Sequence, residues 1–71
     1  MSFKKGSIFI VMDNIYARPF TAGTGVIAIE NQSGEYIKCA DAKGVYWTVL
    51  LKSLRYVDKP SKLEKLIYNI P

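Results

Sequence analysis

Val26-Ile-Ala-Ile-Glu-Asn-Gln-Ser-Gly-Glu-Tyr-Ile-Lys-Cys-Ala-Asp-Ala-Lys-Gly-Val-Tyr-Trp-Thr-Val-Leu-Leu51 decides the fold of this chain. Its apolar, β-branched opening, Val26 to Ile29, reads as a strand closed by the polar turn Asn31 to Gly34, where glycine is available for a left-handed position. Glu35 to Ala40 alternates Tyr36 and Lys38 against Ile37 and Cys39, the period of a half-buried strand. A second turn, Asp41 to Gly44, leads into Val45-Tyr-Trp-Thr-Val-Leu-Leu51. Short strands joined at regular spacing by tight turns predict an antiparallel meander.

Upstream, Ser7 to Met12 is apolar at both parities, which predicts a short strand covered on both faces. Asp13 to Gly25 follows as a long loop holding Pro19, Gly23 and Gly25, with Tyr16 and Phe20 as its rings; long loops in small domains often carry function. Downstream, Leu54 to Val57 reads as a closing fifth strand. A meander of this length buries a core only by curling into a small barrel.

The last segment changes period. Ser61-Lys-Leu-Glu64 has the spacing of a capping box, in which each side chain satisfies a free backbone N–H at a helix start. Leu63, Leu66, Ile67 and Ile70 then fall at i, i+3, i+4 and i+7, predicting a short C-terminal helix over about residues 61–69. So short a helix is marginal alone in water, so its apolar stripe must rest on something. Plugging the barrel's open end is the simpler reading; docking on a partner is the other.

The 71 residues allow one domain, and a chain of this size buries only about 60% of the surface its unfolded form exposes. With one cysteine and no histidine it lacks an internal disulfide, the commonest metal ligand and the commonest general base. No metal site, no cofactor and no enzymatic activity is expected. The carboxylates show no tight pairing in sequence, and Gly23-Thr-Gly25 leads into a strand, not into the helix start that a phosphate-cradling loop requires. The apolar run from Ile8 ends at Asp13, too short for a secretion signal or for the roughly 20 residues of a membrane span. A reducing cytoplasm, a free Cys39 and no membrane partner are expected.

Net charge is +4 and sits at the ends. Lys4 and Lys5 open the chain, and residues 50–71 carry Lys52, Arg55, Lys59, Lys62 and Lys65 against Asp58 and Glu64. Between them, Arg18, Lys38 and Lys43 stand against Asp13, Glu30, Glu35 and Asp41. Phosphate affinity grows with cations placed on one path, so this distribution reads first as solubilising charge.

From Lys5 to Val57 the order of features resembles the SH3-like small barrels, with a KOW-like layout of the kind seen in small bacterial and phage proteins. Lys5-Gly6 precedes an apolar strand, a long loop ends in Phe20-Thr-Ala-Gly-Thr-Gly25, and Val26-Ile-Ala-Ile29, Tyr36, the Asp41 to Gly44 turn, Trp47-Thr-Val49 and Leu54 to Val57 follow in order. The resemblance implies a five-stranded antiparallel barrel and covers about three quarters of the chain. An acidic first loop and an Ala-Leu-Tyr-Asp-Tyr stretch, which mark proline-rich peptide binders, are absent. The loops that nucleic-acid-binding KOW modules fill with basic residues are close to neutral here.

The function expected is therefore a non-catalytic interaction module docking on a larger protein as a small regulator or inhibitor. Tyrosine with arginine is what protein interfaces favour, which makes Tyr16, Arg18 and Phe20 of the long loop the candidate anchors. With Ile37 and Cys39 inward, Tyr36 and Lys38 share the outer face, and cross-strand Tyr46 joins them in an aromatic and basic patch. Phe9 and Trp47, inside apolar runs, are expected in the core. The alternative is direct nucleic-acid binding through Lys4, Lys5, Lys52, Arg55 and Lys59 with tyrosine stacking; homo-oligomer formation through strand edges or the terminal helix is a third reading.

Overall fold

A computed structural model describes residues 2–71. Five antiparallel strands, β1 (Ile8–Val11), β2 (Gly25–Ala28), β3 (Tyr36–Ala40), β4 (Tyr46–Leu50) and β5 (Leu54–Val57), form one sheet in the order β4-β3-β2-β1-β5. A single 3₁₀ turn, Leu51–Ser53, separates β4 from β5, and a short helix, α1 (Lys62–Ile67), follows. The molecule is mainly β, as the meander predicts, and the sheet is open: β4 and β5 are its edges.

Register explains the two faces. Phe9 stands opposite Val26 and Ala28 opposite Cys39, while Ile37 faces Val49. These residues, with Val11, Ala17 and Phe20, form the core, each at most 3% exposed. Phe3 closes one end of it, edge-on to Phe9 at 5.0 Å between ring centres and 4.9 Å from Tyr56. On the opposite face Ile10 lies between Gly25 of β2 and Arg55 of β5 in one cross-strand row. Ile10 is only 2% exposed, so both faces of β1 are covered as its sequence requires.

What lies over that second face is the end of the chain. The Gly25 N–H donates to the Tyr68 carbonyl, and a side chain at Gly25 would run into Ile70. Ile70 reaches this place because α1 ends in a Schellman turn: Asn69 adopts a left-handed φ of 50°, and the Ile70 N–H donates 3.0 Å back to the Lys65 carbonyl. At the other end the capping box is formed in both directions, Ser61 Oγ accepting from the Glu64 N–H at 3.1 Å and Glu64 Oε1 accepting from the Ser61 N–H at 3.0 Å.

The helix does not plug anything. None of its residues is buried, and Leu63, Leu66 and Ile67 are 66%, 76% and 60% exposed. Ile70, fourth in the apolar stripe, is the member that packs, because the turn at Asn69 takes it off the helix. The periodicity placed the helix correctly; its stripe divides where the backbone leaves helical geometry.

Candidate functional site

The loop from Asp13 to Thr24 is fixed at its base. The fully buried Ser53 hydroxyl donates 2.9 Å to Asp13 Oδ1, which also accepts the Ile15 N–H at 3.1 Å. The Met12 N–H donates to the Ser53 carbonyl at 2.8 Å, and on the return side the Gly23 N–H donates to the Val11 carbonyl at 2.7 Å. Farther out, the Leu50 N–H of β4 donates 3.1 Å to the Tyr16 carbonyl, so the loop is carried alongside the edge strand.

Side chains of the loop divide by direction. Ala17 and Phe20 turn inward and join the core, with the Phe20 N–H donating 2.8 Å to the Ala17 carbonyl. Phe20 is therefore not an exposed anchor, which corrects its assignment to the docking surface: a wide loop over a thin core needs a large ring beneath it. Tyr16 and Arg18 are exposed. The Tyr16 ring carries Lys52 Nζ at 4.0 Å from its centre, and the Arg18–Pro19 peptide is cis.

Trp47 is the second correction. The ladder sets it opposite Cys39, on the core-facing side of β4, yet it is 61% exposed while Val49, two residues along on that side, is 1%. Among the described residues no strand lies beyond β4, so at Trp47 the core has ended, and Arg18 and Pro19 line with the ring a shallow groove of about 280 Å³. A broader cleft of about 590 Å³ continues on the other side of Pro19, between Thr21 and Thr24 of the loop and the Asp41 to Lys43 turn. The sequence carried no signal of this: the three residues between β4 and β5 suffice for a hairpin, yet β5 pairs with β1 and leaves β4 an edge.

The outer face holds the other expected patch. Tyr36 and Tyr46 are 52% and 57% exposed, and Lys38 Nζ lies 5.0 Å from the centre of the Tyr46 ring. Lys38 also pairs with Glu30 at 3.9 Å, the one ion pair among the described residues. Tyr36, opposite Leu50, stands at the other end of the ladder from Tyr46, opposite Ala40. Lys38 and Tyr46 thus meet, and Tyr36 extends the patch along β3.

The five cations of the alternative reading are spread. β5 runs from Leu54 beside Val11 to Val57 beside Ile8, which puts Lys59 near the β1 end that Lys4 and Lys5 precede. Lys52 lies at the opposite end of β5 with Tyr16, and Arg55 between them. Among the described residues no group of three His, Cys, Asp or Glu side chains could hold a metal ion, and no helix is long and apolar enough to cross a membrane. Burial pushes the Cys39 thiol up to about 12, which keeps it protonated and unreactive. Comparison with protein-family models, with curated proteins and with solved structures finds no match for this chain.

Proposed function

We propose that this chain is a non-catalytic interaction module of SH3-like layout that docks on a larger protein as a small regulator or inhibitor. The docking surface is the strip of the long loop beside the β4 edge: Trp47 at its centre, Arg18 and Pro19 against it, Tyr16 at one end. Tyr46 and Lys38 adjoin it on the outer face. The carrying observation is the 61% exposure of Trp47 on the core-facing side of its strand. Large rings that protrude beside an arginine are the side chains that dominate interface energies. Among the described residues Arg18 makes no ion pair, which leaves its guanidinium available to an acidic group on the partner.

The strand order supports the small-barrel reading of the fold. β5 returns to pair with β1, and the Tyr16–Leu50 hydrogen bond holds the long loop, whose Ala17 and Phe20 enter the core, against the β4 edge. The nucleic-acid alternative has no comparable support, since Lys52 lies away from Lys4, Lys5 and Lys59.

Affinity capture from the native host's lysate, with and without nuclease, tests the reading. The expected result is a protein retained after nuclease treatment and released by Trp47→Ala or Arg18→Ala, with Trp47→Ala costing about 2 kcal/mol or more of affinity. Capture that disappears with nuclease, or that survives both substitutions, overturns it.

A further inference from the structure

We propose that α1 is a peripheral docking element for an anionic lipid surface, a role separate from the loop-borne protein surface. The helix is mounted the wrong way round for a soluble domain. At about 100° per residue, Leu66, Leu63 and Ile67 span an arc of about 100°, with Tyr68 and Lys65 roughly opposite and Glu64 flanking the arc beyond Ile67. Glu64 and Tyr68 are half-buried on the domain, while the three aliphatic side chains are 60% to 76% exposed. The mounting is specified and not loose: the capping box fixes the start, the Asn69 turn fixes the end, and the Gly25–Tyr68 hydrogen bond with Ile70 holds the tail to the sheet.

Charge chooses the occupant. Lys62 borders the apolar arc, Lys65 lies about 60° farther round behind it, and Lys59 comes just before the helix; all three are exposed, and among the described residues none makes an ion pair. Arg55 stands in one cross-strand row with Ile10 and Gly25, so it shares the sheet face on which the helix tail lies. The acidic groups of the segment are engaged internally, Glu64 by the Ser61 N–H and Asp58 by the Tyr56 hydroxyl at 3.3 Å. A convex aliphatic ridge with Lys62 along one edge, and Lys59 and Lys65 in the same segment, matches the boundary between headgroups and acyl chains of an anionic bilayer. A second copy fits worse. It would set these cations against their own equivalents, and three side chains on a helix about 9 Å long cannot supply the roughly 800 Å² per partner of a stable dimer. The expectation of no membrane partner rests on the lack of a spanning segment, and a helix lying in the interface needs none.

Sedimentation of the full chain with phosphatidylcholine vesicles, with and without phosphatidylglycerol, tests this. Binding is expected only with phosphatidylglycerol, and it weakens as salt rises. Lys62→Gln with Lys65→Gln lowers the partition by about fivefold per lysine, and Leu63→Ser with Leu66→Ser abolishes it while circular dichroism and the melting temperature stay near those of the parent. Absence of binding to either vesicle overturns the proposal. So does equal binding to both, or light scattering that shows a dimer which Leu66→Ser dissolves.

Discussion

Ser53 is the one buried polar side chain among the described residues, and it is satisfied: its hydroxyl meets Asp13 Oδ1 at 2.9 Å. Ser53→Ala leaves that carboxylate with one fewer donor and frees the base of the long loop, so urea unfolding should register a loss of about 1–2 kcal/mol. Phe20→Ala is of another order. It empties a core position, and a cost of about 3–5 kcal/mol is expected, enough to unfold much of so small a domain; Tyr16→Ala, at an exposed ring, should leave the melting temperature nearly unchanged. Nothing in the sequence separated the two rings, because both lie in a loop without period, where the side to which a residue turns is set by what the loop packs on. Cys39 offers a titration test. Its thiol titrates at about 12 in the folded protein against 9.0 for an ordinary thiol. The unfolded chain therefore loses this proton first, and across pH 9 to 12 this group makes folding stability fall as pH rises. Cys39→Ala should flatten that part of the stability profile, as read by denaturant midpoints at successive pH values.

At the scale of elements, strands were the readable part. Apolar alternation and turn chemistry located all five to within about two residues, and Leu54–Val57 at its observed bounds. The helix was readable for the same reason, through its capping box and its period. Which way it faces was not, since amphipathic spacing states that one side is apolar and assumes that side is covered. Here the covering contact is transferred to Ile70 by the turn at Asn69. Gly25 is the seat of that contact: a Cβ there would collide with Ile70 and come within 2.8 Å of the Tyr68 carbonyl. Gly25→Ala should release residues 62–71 as a unit. Amide exchange in α1 would become fast while amides of β3 and β4 stay protected, and a global collapse in its place would show the tail to be part of the core.

For the whole molecule, the charge pattern limits what the basic groups can do together. Lys4, Lys5 and Lys59 share one end of the β1–β5 pair, while Lys52 lies at the other. A single-stranded oligonucleotide titrated over a range of salt should therefore give a log–log slope no steeper than about −2, the value for three phosphate contacts; a slope near −3.5 would mean that all five candidate cations act on one strand. That the end charges do not converge was invisible in the chain order, which lists Lys52, Arg55 and Lys59 as near neighbours although a strand of extended backbone separates the first from the last.

Strand order also sets a timetable. β1 is made first and sits inside the sheet, but the partner on its outer side, β5, begins at Leu54, after three other strands have been made. During synthesis Ile8 to Val11 must therefore wait with one edge unpaired until Val57 has left the ribosome, while the β2–β3 and β3–β4 hairpins can zip from their own turns. The emerging chain passes most of its length with its most apolar strand half-dressed, and the strand that completes it, β5, is followed about a dozen residues later by the tail that settles on Gly25.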